Sequence, residues 1–261
     1  MALILVLGIA ALAASADPVA HNPIVITSNY EFTAQNGVVA GSGTPDDPYI
    51  IEGWKIDAGM SDYGIRIHGT DRSFIIRNVL VSGAAKAGIS LGYVKHGTIE
   101  SCKLSGNWVG ISVSYGTLDR ISLCTIDSNT DGIHLYFSHD NQILQSSLSG
   151  NDTAIWLDAS NKNQIVGNTL PENAMGIYLE LGSTENLVIR NAFLNDTHNA
   201  HSVSANQWDE NGIGNYWSGF RAIDANGDGI WDSPYVIHSD SDQDNFPLVS
   251  PPKQAPAAKS K

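Results

Sequence analysis

Two consecutive stretches decide the fold: "TDGIHLYFSHDNQILQSSLSGN", residues 130–151, and "DTAIWLDASNKNQIVGNTLPEN", residues 152–173. Laid over one another, Ile133 meets Ile155, Leu135 meets Leu157, Ile143 meets Ile165, Leu148 meets Leu170 and Asn151 meets Asn173, each pair 22 residues apart. Inside each stretch short period-two apolar segments are separated by Asn, Ser and Gly. That is the pattern of strands and turns rather than of helices.

The same register runs outward in both directions. The isoleucine column reads Ile65, Ile89, Ile111, Ile133, Ile155 and Ile177, with spacings of 24, 22, 22, 22 and 22. Gly64, Gly88, Gly110, Gly132 and Gly176 precede it, with Ala154 in the remaining place. A second column holds Ile67, Leu91, Val113, Leu135, Leu157 and Leu179. A third holds Ile75, Ile99, Ile121, Ile143 and Ile165, then Val188 after a one-residue insertion. A fourth holds Leu80, Leu104, Ile126, Leu148 and Leu170, with Phe193 shifted likewise. One such unit cannot bury its apolar face alone, but stacked units bury a continuous column. The spacing predicts an all-β, right-handed, single-stranded parallel β-helix with about six regular 22-residue coils over residues 63–200. Residues 17–62 read as an N-terminal cap with irregular first coils, 201–249 as a C-terminal cap, and the Pro/Ala/Lys-rich 250–261 as a flexible tail. Residues 1–16 read as a secretory signal peptide, too short to span a membrane comfortably and ending in Ala14-Ser15-Ala16.

Asn107, Asn129, Asn151, Asn173 and Asn195 are also 22 apart, the spacing of a corner ladder whose amides bond from rung to rung. Cys102 and Cys124 share that spacing, with Asn78, Ser146 and Asn168 in the same place of other coils. Two stacked reduced thiols and a disulfide between adjacent rungs both stay open.

Composition agrees with a turn-rich solenoid. Charged residues are 16% and glycines number 25, which does not favour helices with charged outer faces. The net charge of -13 argues against a phosphate-tracking nucleic-acid surface and suits cations, neutral sugars or a cationic partner.

The coils, the segment "GSGTPDDPYIIEGWKID" (residues 41–57) and the closing "GNYWSGFRAIDANGDGIWDSPYVI…DNFPL" resemble the NosD-like family of secreted parallel β-helix repeat proteins, with the pectin-lyase-like fold, over nearly all of residues 24–249. The resemblance implies an extracytoplasmic location and a role in copper or carbohydrate binding, or in sugar hydrolysis. One branch assists copper-site maturation of nitrous oxide reductase. The residues themselves offer little for copper: 8 His and 3 Met, with no Met-rich or Cys-His cluster, and His198 and His201 as the closest pair.

One outward residue lies between the inward isoleucine and leucine of each coil: Arg66, Ser90, Ser112, His134, Trp156 and Tyr178. The last three, with Tyr136 beside them, form a candidate aromatic row for stacking against sugar rings. In the column of Tyr136 stand Asp158 and Glu180, a candidate acid/base pair on adjacent rungs. Asp224, Asn226, Asp228 and Asp232 occupy places 1, 3, 5 and 9 of an EF-hand-like loop with Gly229 at place 6, a candidate structural calcium site. Place 12 is Tyr235 rather than Glu, so Asp240, Asp242 or Asp244 would have to supply the missing carboxylate. The bland alternative is a turn that shapes the cap while Tyr216, Trp217 and Trp231 close the coil end. Three functions compete: a non-catalytic scaffold binding a polysaccharide or a cell-surface protein, a polysaccharide hydrolase or lyase using Asp158 and Glu180, and a copper-delivery accessory. The residues favour the first, exported to the periplasm, the cell surface or beyond.

Overall fold

A computed structural model of the chain describes residues 17–180, 182–238 and 242–253. The signal peptide expected at 1–16 and the tail from 254 lie outside the described residues. The chain winds into a parallel β-helix with three sheets, each built from one strand per coil. Sheet one has the longest strands, six residues each: Tyr63–His68, Ala87–Gly92, Val109–Ser114, Asp131–Tyr136, Thr153–Asp158 and Met175–Glu180. Sheet two continues each coil with shorter strands such as Arg120–Ser122, Gln142–Leu144 and Gln164–Val166. Sheet three closes it with strands such as Thr125–Asp127 and Ser147–Ser149. Among the described residues the only helical turns are short 3₁₀ segments, Asn29–Glu31 and Ala34–Asn36. No helix there is long and apolar enough to cross a membrane.

The isoleucine column is buried from end to end. Ile65, Ile89, Ile111, Ile133, Ile155 and Ile177 are each 0% exposed, and consecutive members pair in register. Each such side chain contributes roughly 1.5–3 kcal/mol of hydrophobic stabilisation. The column extends beyond the regular repeat, to Ile24 before it and Ala200 after it. The irregular segment before residue 63 already gives a strand to every sheet, through Ile24–Ile26, Tyr49–Glu52 and Trp54–Asp57.

Two columns slip by one residue against the count along the sequence. Ile76, not Ile75, pairs with Ile99, and Val81, not Leu80, pairs with Leu104. The 24-residue spacing from Ile65 to Ile89 places one extra residue in each of two connections, before Ile76 and after Val81. The same slip puts Val79, not Asn78, behind Cys102. Asn78 instead turns the corner with φ 51.

The asparagine ladder exists, and among the described residues it is one of three that end on a carboxylate; a fourth, of buried serines, runs Ser138, Ser160 and Ser183. Asn107, Asn129 and Asn151 each donate their backbone N–H to the side-chain oxygen one rung on, at 3.0 Å, and Asn173 does the same at 2.7 Å. The last acceptor is Asp196 rather than Asn195, because the sixth coil is one residue longer. Asn195 is displaced to an exposed corner at φ 61. A second ladder runs Ser146, Asn168, Asn191, Asn215 and ends at Asp244. A third runs Asp119, Asn141, Asn163, Asn186, Asn206 and ends at Asp242. Cys102 and Cys124 are free and buried, each donating its thiol to carbonyls, at 3.2 Å to Glu100 and 3.3 Å to Ser122. Burial pushes the Cys102 thiol well up, so it stays protonated.

The C-terminal cap closes the core with rings. Trp217 stacks between Phe193 and Tyr235 at 4.2 and 4.0 Å. Trp208 and Trp217 donate their indole N–H to two of the three ladder-ending carboxylates, Asp242 at 3.0 Å and Asp244 at 2.8 Å. Tyr216 and Trp231, expected to share that closure, are only half-buried.

Candidate functional site

The outer face of sheet one is set by what lies beneath it. Glycine lets successive coils approach closely: a Cβ at Gly110 would stand 2.6 Å from the carbonyl oxygen of Gly132. With Ile and Leu pinned inward, the residue between them points out. His134, Trp156 and Tyr178 therefore stand in one row, in register, and His201 continues it.

The row differs from an open stacking platform. His134 and Trp156 lie face to face at 4.4 Å and 7°, so each ring spends a face on the other. Trp156 and Tyr178 are tilted by 53° at 6.2 Å, and Tyr178 meets His201 at 4.9 Å. All three predicted row members are half-buried. His134 Nε2 and Trp156 Nε1 are buried without a hydrogen-bond partner. Burial pushes the His134 imidazole down to about 4, so the ring is neutral at pH 7.

Tyr136, Asp158 and Glu180 form the adjoining column, in register on consecutive rungs. Asp158 is buried, with Oδ1 lacking a partner, and burial pushes its carboxyl above the ordinary aspartate range. The Tyr178 hydroxyl bonds to Glu180. Burial, then that carboxylate, raise the phenol's pKa. From rung to rung here, across Asp131, His134, Tyr136, Thr153, Trp156, Asp158, Met175, Tyr178 and Glu180, there is no Lys or Arg.

Sequence reasoning missed an exposed cluster of stacked aromatic rings. At the corner leaving sheet one, Tyr93, Tyr115 and Phe137 are 56%, 40% and 42% exposed. Tyr93 stacks on Tyr115 at 4.6 Å and 10°, and Tyr115 on Phe137 at 5.6 Å and 15°. Tyr136 meets Phe137 edge-on at 4.7 Å, joining the corner to the sheet face. All three corner residues are left-handed, at φ 51, 54 and 45, a conformation that costs a bulky side chain roughly 1–2 kcal/mol. The same corner is made by Gly69 before them and Ala159 after them. The turn therefore does not demand aromatics. Ala159 also leaves one face of Phe137 without an aromatic neighbour. The signal was available as 93, 115 and 137, each two residues beyond an inward apolar side chain.

The residues read as a calcium loop do share one exposed loop, folded on its own amides. Asp224 accepts from the N–H of Gly227 at 2.8 Å and Gly229 at 3.1 Å. Asp228 accepts from Ile230 N–H and Asn226 Nδ2, both at 2.9 Å. Asp232 accepts from Ala225 N–H at 2.9 Å. Gly229, at φ 87, makes the sharp turn. Asp242 and Asp244 are not spare ligands, since they end ladders and hold tryptophans. Asp240 lies outside the described residues.

A family model described as periplasmic copper-binding protein (NosD) matches residues 24–222. The chain belongs to the NosD family. No curated protein sequence matches it. Among solved structures, this NosD-family chain is similar to the Azotobacter vinelandii mannuronan C-5 epimerase AlgE6 A-module at TM-score 0.56 and 16% identity, covering 60% of this chain and 50% of that one. It is similar to the periplasmic alginate epimerase AlgG at TM-score 0.55 and 16% identity, covering 71% and 55%. It is similar to pectate lyase Pel9A at TM-score 0.52 and 14% identity, covering 77% and 64%. At these identities the likeness is one of fold. The chain spans about half the length of the two epimerases.

The family's description names copper, and the donors here do not assemble for it. His201 and His238 approach with ring centroids 5.9 Å apart. Among the described residues no group of three or more His, Cys, Asp or Glu side chains converges on one point. Both thiols are buried and hydrogen-bonded away from any imidazole.

Proposed function

We propose that this NosD-family protein is a non-catalytic carbohydrate-binding β-helix of the periplasm or cell surface. It holds a neutral glycan against the corner Tyr93, Tyr115 and Phe137 and the adjoining Tyr136. The observation that carries the reading is the repeated left-handed aromatic where Gly69 and Ala159 make the same turn. Rings kept exposed at a conformational cost suit a ligand with flat apolar faces, and sugar rings have them. Beside Tyr115 and Phe137 the inner edge, Ser112, Ser114, His134 and Tyr136, carries no Lys or Arg, which favours neutral sugars over uronates. Calorimetric titration with neutral and uronate oligosaccharides tests it. Phe137→Ala is expected to weaken neutral-glycan binding about tenfold, roughly 1.4 kcal/mol, with an unchanged melting temperature. Equal affinity of the variant and the native protein overturns the assignment.

One observation favours a second reading. The Asp158 carboxyl, pushed up by burial and one rung from Glu180, supports an acid and a base on adjacent rungs. New reducing ends that vanish in both Asp158→Asn and Glu180→Gln would replace binding by hydrolysis. The 224–232 loop is proposed as a structural calcium site in either case.

A further inference from the structure

Away from sheet one, the groove between sheet two and the C-terminal segment has the opposite character. It encloses a cavity of about 610 Å³, within the size range of small-molecule sites. Its floor is aliphatic: Leu144 and Val166 from the outer face of sheet two, with Ile213 and Leu248 from the cap. Arg120, Arg190 and Lys253 face into it, and no carboxylate lines it. In a chain of 14 basic against 27 acidic residues, three cations and no acid around one hollow is a local reversal of charge. None of the three has an ion-pair partner among the described residues, and Arg120 donates only to the Gln142 side chain, at 3.1 Å.

The hollow is a consequence of the corner leaving sheet two. There the left-handed column reads Leu123, Gln145, Gly167 and Arg190. Gly167 supplies no side chain, and a Cβ placed on it would meet only Gln145 Cγ, at 3.6 Å. The gap spans the rungs from Arg120 to Arg190, about 14 Å along the axis at 4.8 Å per rung.

We infer that this groove binds an anion with an extended aliphatic body, such as a fatty-acid carboxylate. The cations recognise the head and the Leu144–Val166–Leu248 floor covers the chain. A sugar acid fits less well, because no aromatic ring lines the cavity. Residues 254–261 bring only the basic side chains Lys259 and Lys261, whose charge does not complement the groove.

The test is calorimetric titration of the full chain with decanoate, decanol, acetate and a uronate oligosaccharide, and flotation with phosphatidylglycerol vesicles. Saturable one-to-one binding of decanoate is expected, at least tenfold tighter than decanol or acetate. Arg120→Glu and Arg190→Glu lie on exposed side chains and should each weaken it tenfold or more without shifting the melting temperature. Phe137→Ala, on the opposite corner, should leave it unchanged. Flotation abolished by Arg190→Glu would identify the anion's source as a lipid headgroup; its absence would leave the free acid. No saturation by decanoate, equal binding of decanol, tighter binding of the uronate, or indifference to both arginine variants each overturns the proposal.

Discussion

The coils and the C-terminal cap solve one problem in two ways. In a coil, an asparagine accepts from the rung before it and has its own donors to pass on, so the same residue recurs every 22 positions. Toward the cap, three of the ladders stop at a side chain that accepts but has no amide donor of its own. Asp196, Asp242 and Asp244 each take that place, and two of them also receive a tryptophan N–H. Repetition makes the coil readable, while termination depends on residues that share no period. In the three ladders that close on a carboxylate, that last place is therefore a property of position along the axis, while the serine ladder ends on the Ser183 hydroxyl.

The sharpest way to break the comparison is within a coil. Ile133→Asp places an unpaired charge where the column is 0% exposed, and no cooperative unfolding transition should remain by circular dichroism. The cap should be costly but survivable. Asp244→Ala leaves Asn215 N–H, Trp217 Nε1 and Phe246 N–H without their acceptor, and should lose about 3 kcal/mol or more in urea unfolding. A loss below about 1 kcal/mol would mean that the carboxylate is not the terminator.

Asp119 sharpens the contrast from the other side, being an acid at the start of a ladder. Its Oδ1 accepts from Gly97 N–H at 2.7 Å, its Oδ2 is buried without a partner, and burial pushes it up to about 7. A raised acid binds its proton more tightly when folded. Its stabilising contribution is full below pH 4, the ordinary aspartate value, and is lost as pH rises through about 7. Asp196, also pushed up to about 7, acts in the same sense. Melting temperature should thus fall between pH 4 and pH 8. Asp119→Asn should flatten that fall and melt higher than the native protein at pH 8. The reason is geometric: one rung on, Asn141 Nδ2 donates to Gly116 carbonyl, and the equivalent acceptor for residue 119 is Val94 carbonyl. A variant less stable at pH 8 would show that the carboxylate is needed there.

The smallest effect belongs to the 224–232 loop. Chelation should lower the melting temperature by a few degrees, through loss of a ligand bound only to the folded state. Asp228→Ala should remove that dependence. No calcium-dependent shift at millimolar concentration leaves the loop as a turn.

Most of the fold was legible because one buried side chain per strand repeats without exception from Ile65 to Ile177. What failed was counting across connections. Ile75 and Asn195 each miss their columns because an extra residue in a corner is absorbed locally, without disturbing the rungs on either side. The candidate site was half legible. The row His134, Trp156 and Tyr178 is real, but the sequence does not say that two of its rings face each other. The exposed corner was written at the same spacing and overlooked, because a left-handed tyrosine is not what a turn normally uses. The cationic groove had no signal along the chain: Arg120, Arg190 and Lys253 meet only because the C-terminal segment folds back over sheet two.

Direction in the ladders has a bearing on how such a molecule changes length. Each amide accepts from the preceding rung and gives to the next, so a copied coil between Asn107 and Asn173 finds matching partners at both of its ends. A copy placed beyond Asp196 meets a side chain with no Nδ2 to give to the next rung, only the backbone N–H. Tandem duplication of a 22-residue segment is thus better matched in the interior than at the finish, and homologues should differ in the number of middle coils while ending alike.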